Sequence, residues 1–461
     1  MGLTVFVVLA GLEIALAIWT CTRSREASAQ RKARLAVRCI QLAAVVIVLL
    51  LPAGQKWRFI PVLCFITVLL VVSIVIALAK RGKESKSRKP AATITACVAC
   101  VLAIGILSIP AFVFTGYAGL PTSGEYRVAK ASVILVDESR TDPFEQDGSA
   151  REVPVHFYYP ADAGSREDEF PLVVFSHGAF GYYQSNTSTY EELASNGYVV
   201  AALDHPHHAI FTTDTDGRTV IVDQGFLNTA LDISSQDATE LDPQEQLGTY
   251  QDWMALRTAD MNFVLDELEE AGENDALDTS WHMADESENE ILAVLDMANF
   301  TRIGLMGHSL GGATSVELGR QRDDVSAVVC LDGTMLGEYT GIANGMLSVD
   351  EEPYPVPVLE FVNWETYNEL AQGIDELHAR GGRYPNDELM RNAADGYTTT
   401  IRDTLHMDFT DLPLLSPALG NMLGSGNRDT EETMTIANSL VLDFFDCYLK
   451  GQGSFAVEEA Y

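Results

Sequence analysis

The stretch Arg302-Ile-Gly-Leu-Met-Gly-His-Ser-Leu-Gly-Gly-Ala313 runs an apolar segment into Gly307-His308-Ser309-Leu310-Gly311, a fit to G-x-S-x-G. The segment before the motif reads as a buried strand, and Thr314–Arg320 after it reads as a helix. A chance glycine-rich turn is the plain alternative, since five-residue matches are common. The strand before, the helix after and the extra Gly312 instead describe a strand–turn–helix elbow. Glycine on each side of the serine lets strand and helix approach closely. The hydroxyl is then lifted clear of the sheet edge, beside a helix N-terminus where negative charge is favoured.

On either side of this elbow the pattern alternates. Apolar or alternating runs at Ala131–Val136, Val153–Tyr159, Leu172–Ser176 and Tyr198–Leu203 read as strands, with Thr187–Asn196 as a helix between the last two. Residues 250–270 and Glu288–Met297 repeat apolar groups at helical spacing. After the elbow come strands Val325–Leu331, Val358–Val362 and Thr398–Arg402, then a final helix Glu431–Leu449. The central strands are continuously apolar, which requires cover on both faces and a mostly parallel sheet. The expected fold class is therefore α/β, on the α/β-hydrolase plan. Residues 212–249 and 271–289 are acidic and weakly patterned, and read as surface excursions that include a candidate lid.

Charge divides the 461 residues in two. Residues 1–116 hold 14 Lys+Arg and 3 Asp+Glu of the chain's 30 and 65, leaving 16 and 62 for residues 117–461, nets of +11 and −46. So acidic a second part is not expected to bind nucleic acid. The first part has apolar stretches at Leu3–Trp19, Cys39–Leu51, Phe59–Ala79 and Ala91–Phe114, an all-α transmembrane bundle of about four helices. No basic residue precedes the first stretch, so it does not read as a cleaved signal peptide. Arg23, Arg25, Arg31, Lys32, Arg34 and Arg38 are read as the first loop, and Lys80, Arg81, Lys83, Lys86, Arg88 and Lys89 as the third; only Lys56 and Arg58 fall between the middle stretches. The positive-inside tendency puts the two basic loops in the cytoplasm, so residues 117–461 form an extracytoplasmic domain of a multi-pass membrane protein. Glu13, inside the first stretch, is either a functional carboxylate or one tolerated near an end or in a loose bundle.

A serine hydroxyl needs a base, and the base needs an acid to orient it. In this fold the chain order is Ser, then Asp or Glu, then His. Of nine histidines, His378 and His406 follow Ser309 at a useful distance. His406 lies just after the last strand, where the base belongs, while His378 sits in a polar helical stretch as a solvated residue. For the acid, Asp332 follows strand Val325–Leu331 and Glu365 follows the next strand; spacing leaves both open. An Asp-Gly turn is the ordinary explanation of Asp332. The N–H groups of Leu310 and of Ala179, in the Ser176-His-Gly-Ala turn, are the candidate donors to an oxyanion.

Asp204-His-Pro-His-His208 could be a zinc set, but adjacent His207 and His208 converge poorly, and the loop reads instead as part of the cleft mouth. Cys97-x-x-Cys100 lies in an apolar run and reads as packing, as do Cys330 and Cys447, taken as buried free thiols. Neither metal nor organic cofactor is expected.

Several of these pieces together resemble the platelet-activating factor acetylhydrolases: Val173-Val-Phe-Ser-His-Gly178, Gly197-Tyr-Val-Val-Ala-Ala-Leu-Asp-His205, Gly307-His-Ser-Leu-Gly-Gly-Ala-Thr314, Leu331-Asp332 and Leu405-His406 with Phe409. The likeness covers roughly residues 130–450 in matching order. It implies Asp332 as the acid in place of Glu365, and oxyanion donors at Ala179 and Leu310. Residues Ala179-Phe-Gly181 and Gly333-Thr-Met335 depart from the animal enzymes, as does the membrane bundle.

The expected protein is a membrane-anchored serine hydrolase, an esterase or lipase acting on small or lipid esters through Ser309, His406 and Asp332 and an acyl-enzyme. Two competing readings are an acyltransferase to a lipid or cell-wall acceptor, and a non-catalytic interaction module on a hydrolase fold. Product analysis with an added alcohol separates the first, and failure to react with a fluorophosphonate would favour the second.

Overall fold

The computed structural model describes residues 1–22, 26–51, 54, 56–81, 87–161, 169–235, 242–283 and 287–461. Arg23, Arg25, Lys83 and Lys86 of the two basic loops lie outside the described residues. The chain forms two compact units. One comprises Met1–Gly119 with Leu412–Met422, the other Leu120–Asp411 with Leu423–Tyr461.

The first unit is helical: α1 (Gly2–Thr22), α2 (Ala27–Leu50), α3 (Ile60–Ala79), α4 (Pro90–Leu107) and the short α5 (Ile109–Val113). Four of its helices are long and apolar enough to cross a membrane. Their outer faces are apolar as well, with Val7, Ile47, Val68 and Leu102 exposed. Leu9, Val45, Val62, Ile66 and Ile104 form the inner seam.

The second helix corrects the reading of the first basic loop. It begins at Ala27, so Arg31, Lys32, Arg34 and Arg38 are helical rather than loop residues. Lys and Arg are good helix formers, and only the apolar half of this helix was legible from hydropathy. Arg38 is buried and bonds both carboxylate oxygens of Glu13, at 3.2 Å from Nη2 to Oε2 on one side. Gln41 Nε2 reaches Glu13 Oε1 at 2.8 Å and Leu9 O at 3.1 Å. Glu13 thus neither lies at an end nor sits loosely. It is costly alone and is held because a partner on α2 neutralises it.

The second unit begins with the antiparallel pair β1 (Val128–Thr141) and β2 (Ala150–Pro160), then β3 (Phe170–Ser176), α6 (Thr187–Ser195) and β4 (Val199–Leu203). The hairpin β5 (Phe211–Thr213) and β6 (Thr219–Ile221), then α7 (Gln224–Ser235), α8 (Pro243–Asn274), β7 (Trp281–His282) and α9 (Glu288–Met297) lead to β8 (Ala298–His308) and α10 (Leu310–Gln321). Next come β9 (Val325–Leu331), the hairpin β10 (Tyr339–Ala343) and β11 (Met346–Val349), β12 (Val358–Asn363), α11 (Trp364–Ala379), α12 (Pro385–Asn392) and β13 (Gly396–Ile401). Within residues 212–249 the described residues form most of a hairpin, α7 and the start of α8, and residues 236–241 lie outside the described residues. The chain then rejoins the first unit through α13 (Leu412–Leu415) and most of α14 (Pro417–Leu423), before α15 (Thr430–Lys450) closes the second. There Thr115 donates its N–H to Leu415 O and its hydroxyl to Leu414 O, and Ser416 donates to Val113 O, all at 2.8 Å.

Among the described residues nine strands form one sheet in the order β13-β12-β9-β8-β3-β4-β2-β1-β7. The pairs from β13 to β4 are parallel, and the remaining pairs are antiparallel. Successive side chains of a strand point to opposite faces. Leu172, Val174, Ile303, Leu305 and Val328 accordingly join α8 and α9 residues such as Met261, Leu265 and Ile291 in one core. Val173, Phe175, Met306, Ala327 and Val329 join Tyr190, Val441, Phe444 and Phe445 of α6 and α15 in the other. In register, Ser176 lies opposite both Leu203 and Gly307, and His308 lies opposite Leu331. The residues that follow these strands therefore emerge together at one edge of the sheet, the edge where parallel α/β sheets bind ligands.

All seven cysteines are free; Cys330 is buried, while Cys447, expected buried, is only half-buried.

Candidate active site

Between β8 and α10 the backbone turns at Ser309 with φ 54° and ψ −124°, an uncommon conformation for a residue with a side chain. Such geometry costs about 1–3 kcal/mol and persists only where the surroundings impose it. Here they do. A Cβ on Gly307 would lie 2.2 Å from the carbonyl carbon of Gly311, and one on Gly311 would lie 2.0 Å from Ser176 O. The G-x-S-x-G spacing is thus a packing requirement that forces the serine outward.

Ser309 Oγ lies 3.0 Å from His406 Nε2, and His406 Nδ1 lies 2.6 Å from Asp332 Oδ2. Glu365, the other acid that spacing allowed, is exposed in the first turn of α11, and the structure does not bring it to His406. His378 pairs with Asp387 at 3.5 Å, away from Ser309. Asp332 is held by a residue the sequence reading passed over. Asn363 at the end of β12 donates its N–H to Asp332 Oδ1 at 2.7 Å and its amide group to both oxygens at 2.9–3.0 Å. Burial works against the charge of Asp332, but the bonds from His406 and Asn363 outweigh it and hold the carboxyl below its ordinary range.

His406 stands in the short 3-10 turn His406–Phe409. Its carbonyl accepts from His308 Nε2 at 3.1 Å, and the two rings lie 4.6 Å apart. Burial, with His406 beside it, pushes His308 down to about 3, so it packs as a neutral ring. Asp408 ties the turn down, accepting from Leu405 N at 2.8 Å and Gly426 N at 2.6 Å. The His406 side chain is 43% exposed, open enough to exchange protons with a substrate or water.

A cleft of about 570 Å³ opens over these groups. Ala179 and Leu310 line it beside Ser309, Asp332 and His406, with Ile233 of α7, Tyr250 and Trp253 of α8 and Tyr384 forming apolar walls. Leu310 is the first residue of α10, where helical N–H groups lack intrahelical acceptors. Asp204 and the following histidines do not converge on a metal. Asp204 accepts from Tyr183 N and Thr212 Oγ1, and His205 lies between Asp260 and Ser176. Among the described residues no group of three or more His, Cys, Asp or Glu is arranged to hold a metal.

Glu360, also on the cleft, accepts from Asn386 Nδ2 at 2.5 Å and Thr398 Oγ1 at 3.0 Å. Burial, with the Asp332 charge nearby, pushes its carboxyl up to about 7. Folded protein then keeps a proton that the unfolded chain releases near its ordinary value, so this group's stabilisation is full at low pH and is lost as pH rises through about 7. Glu360→Gln keeps a neutral group, its oxygen still accepting from Asn386 Nδ2 and its NH₂ turned to the Thr398 hydroxyl as acceptor. It is expected to raise the thermal midpoint of the full-length protein in detergent at pH 8 but not at pH 5, an effect on the order of 3 kcal/mol. Equal shifts at both values would show that Glu360 is ionised throughout.

A tight serine turn between β8 and α10, with a histidine and an aspartate on later loops of a mostly parallel sheet, defines the α/β-hydrolase fold. A model of the family described as platelet-activating factor acetylhydrolase, isoform II, matches residues 152–458, and the chain belongs to that family. The platelet-activating factor acetylhydrolase of Cavia porcellus is 22% identical over 310 residues, 64% of this chain and 61% of that protein. A probable 1-alkyl-2-acetylglycerophosphocholine esterase of Arthroderma benhamiae is 27% identical over 230 residues, 48% of this chain and 46% of that one. The chain spans less than two thirds of either relative. Among solved structures, a ferulic acid esterase from Streptomyces cinnamoneus superimposes with a TM-score of 0.50 at 23% identity, over 73% of this chain and 95% of that one, a likeness of fold.

Proposed function

We propose that the protein is a membrane-anchored serine hydrolase that cleaves carboxylic esters, with short-acyl or phospholipid esters as its substrate class. The observation that carries this is the unbroken line from Ser309 Oγ through His406 to Asp332. Ser309 attacks the ester carbonyl while His406 Nε2 takes its proton and then passes it to the leaving alcohol. Asp332 keeps the proton of the imidazole on Nδ1 and stabilises the imidazolium. The N–H groups of Leu310 and Ala179 receive the developing oxyanion. Water, activated by the same histidine, clears the acyl-enzyme. The family, and a relative whose name specifies an acetylated alkyl phospholipid, support the substrate class.

The four apolar helices are proposed to anchor the chain. Lys80, Arg81, Arg88 and Lys89 between α3 and α4 support a cytoplasmic connection there, and with it an extracytoplasmic hydrolase unit. One experiment addresses reactivity and orientation together. A charged, membrane-impermeant fluorophosphonate added to intact cells is expected to modify Ser309, identified by peptide mapping. Labelling only after permeabilisation would put the unit inside, and no labelling of the detergent-solubilised full chain would remove the nucleophile.

A further inference from the structure

Arg257 and Asp260, three residues apart on α8, are both wholly buried. Neither touches Ser309, His406 or Asp332. Arg257 sends Nη1 to His177 O at 2.5 Å and Nη2 to Gly178 O at 3.3 Å, and its Nε to His208 Nδ1 at 3.2 Å. Asp260 accepts from Arg151 at 2.8 and 3.1 Å and from Arg140 at 3.0 Å, and meets His205 Nδ1 at 3.0 Å. The buried cation is thus aimed at two backbone carbonyls of the turn after β3, while the carboxylate beside it is satisfied by other partners.

Tautomers follow from the same contacts. His177 Nε2 accepts from the N–H of His205 at 3.1 Å, so the ring proton is on Nδ1 and is donated to Gly178 O at 2.7 Å. Gly178 O also accepts from Gly181 N at 3.1 Å. Three donors therefore converge on one carbonyl. In a trans peptide the C=O and N–H point in opposite directions. The other end of this peptide is the N–H of Ala179, a residue that lines the cleft beside Ser309. Charge-assisted bonds to the oxygen fix the plane, and they also polarise the N–H into a stronger donor.

We propose that Arg257 and His177 are positioning residues that set the Gly178–Ala179 peptide as an oxyanion donor, acting through its carbonyl from behind the cleft. The inference rests on the reading of Ser309 as the nucleophile. Burial pushes Arg257 down to about 9, which still leaves it a cation at neutral pH.

The test uses the full-length protein in detergent, a short p-nitrophenyl ester, and two inhibitors: a trifluoromethyl ketone, which forms a tetrahedral adduct with serine, and the matching methyl ketone, which binds as a ground-state mimic. Arg257→Lys is expected to lower kcat roughly 10²-fold, the scale of one misplaced oxyanion donor, with KM within about twofold. Affinity for the trifluoromethyl ketone should fall by a similar factor, and affinity for the methyl ketone should hold. His177→Phe removes one donor to Gly178 O without stranding a buried charge, should show the same split, and decides the matter if Arg257→Lys does not fold. Unchanged kcat, or equal losses for both ketones, in a folded variant would overturn the proposal. If instead the wild-type protein neither turns over the ester nor binds the trifluoromethyl ketone, the nucleophile reading itself has failed.

Discussion

Ser309→Ala is expected to lower kcat for short p-nitrophenyl esters by on the order of 10⁶-fold, with the thermal midpoint unchanged or raised. The loss is large because covalent catalysis has no substitute: the cleft would still bind ester, but the variant lacks the hydroxyl that lies 3.0 Å from His406 Nε2. Stability should not suffer. The serine backbone is held by contacts of Gly307 and Gly311 and by its N–H bond to Leu331 O at 2.9 Å, none of which involves Oγ. Retained turnover in a homogeneous preparation of the variant would assign hydrolysis to another group.

Asp332→Asn carries the second largest expected effect, roughly a 10⁴-fold fall in kcat. Asn363 directs donors at Asp332 Oδ1 from its own N–H and its amide, so an asparagine here would turn its carbonyl toward Asn363 and its NH₂ toward His406. A donor facing Nδ1 forces the ring proton onto Nε2. The imidazole then presents N–H to Ser309, where it must accept. Glu365→Gln, at an exposed carboxylate, should change kcat only a few-fold. If the magnitudes were reversed, the orienting acid would be Glu365.

That pair also marks the limit of what the amino-acid sequence specifies about the site. The turn at Ser309 was legible because its glycines are demanded by contacts within a few residues, and the meeting of His406 with Ser309 because chain order leaves one suitable loop. The choice between Asp332 and Glu365 was not, since β9 and β12 are neighbours that end at the same edge. It turns on side-chain direction, which spacing does not encode. Asp332 adopts φ 53°, turning its carboxylate toward the histidine, while Glu365 has already entered α11. The burial of Arg257 was not legible for a different reason. Charged residues on an amphipathic helix are ordinarily its wet side, yet Arg257 and Asp260 share the buried face with Met254, Met261 and Val264. Charges at core-periodic positions were the available signal, and the same signal marks Arg38 on α2.

The return of Leu412–Met422 to the helical unit has a consequence for biosynthesis. Thr115 and Val113 find their partners at Leu414 and Ser416, separated by 299 and 303 residues. At about 5–20 residues per second, ribosomes need on the order of 15–60 s to deliver that segment after the bundle has been made. The helical unit must therefore wait, unfinished, until the second unit is nearly complete. No single cut can then release one unit whole, because each is assembled from two separate lengths of chain.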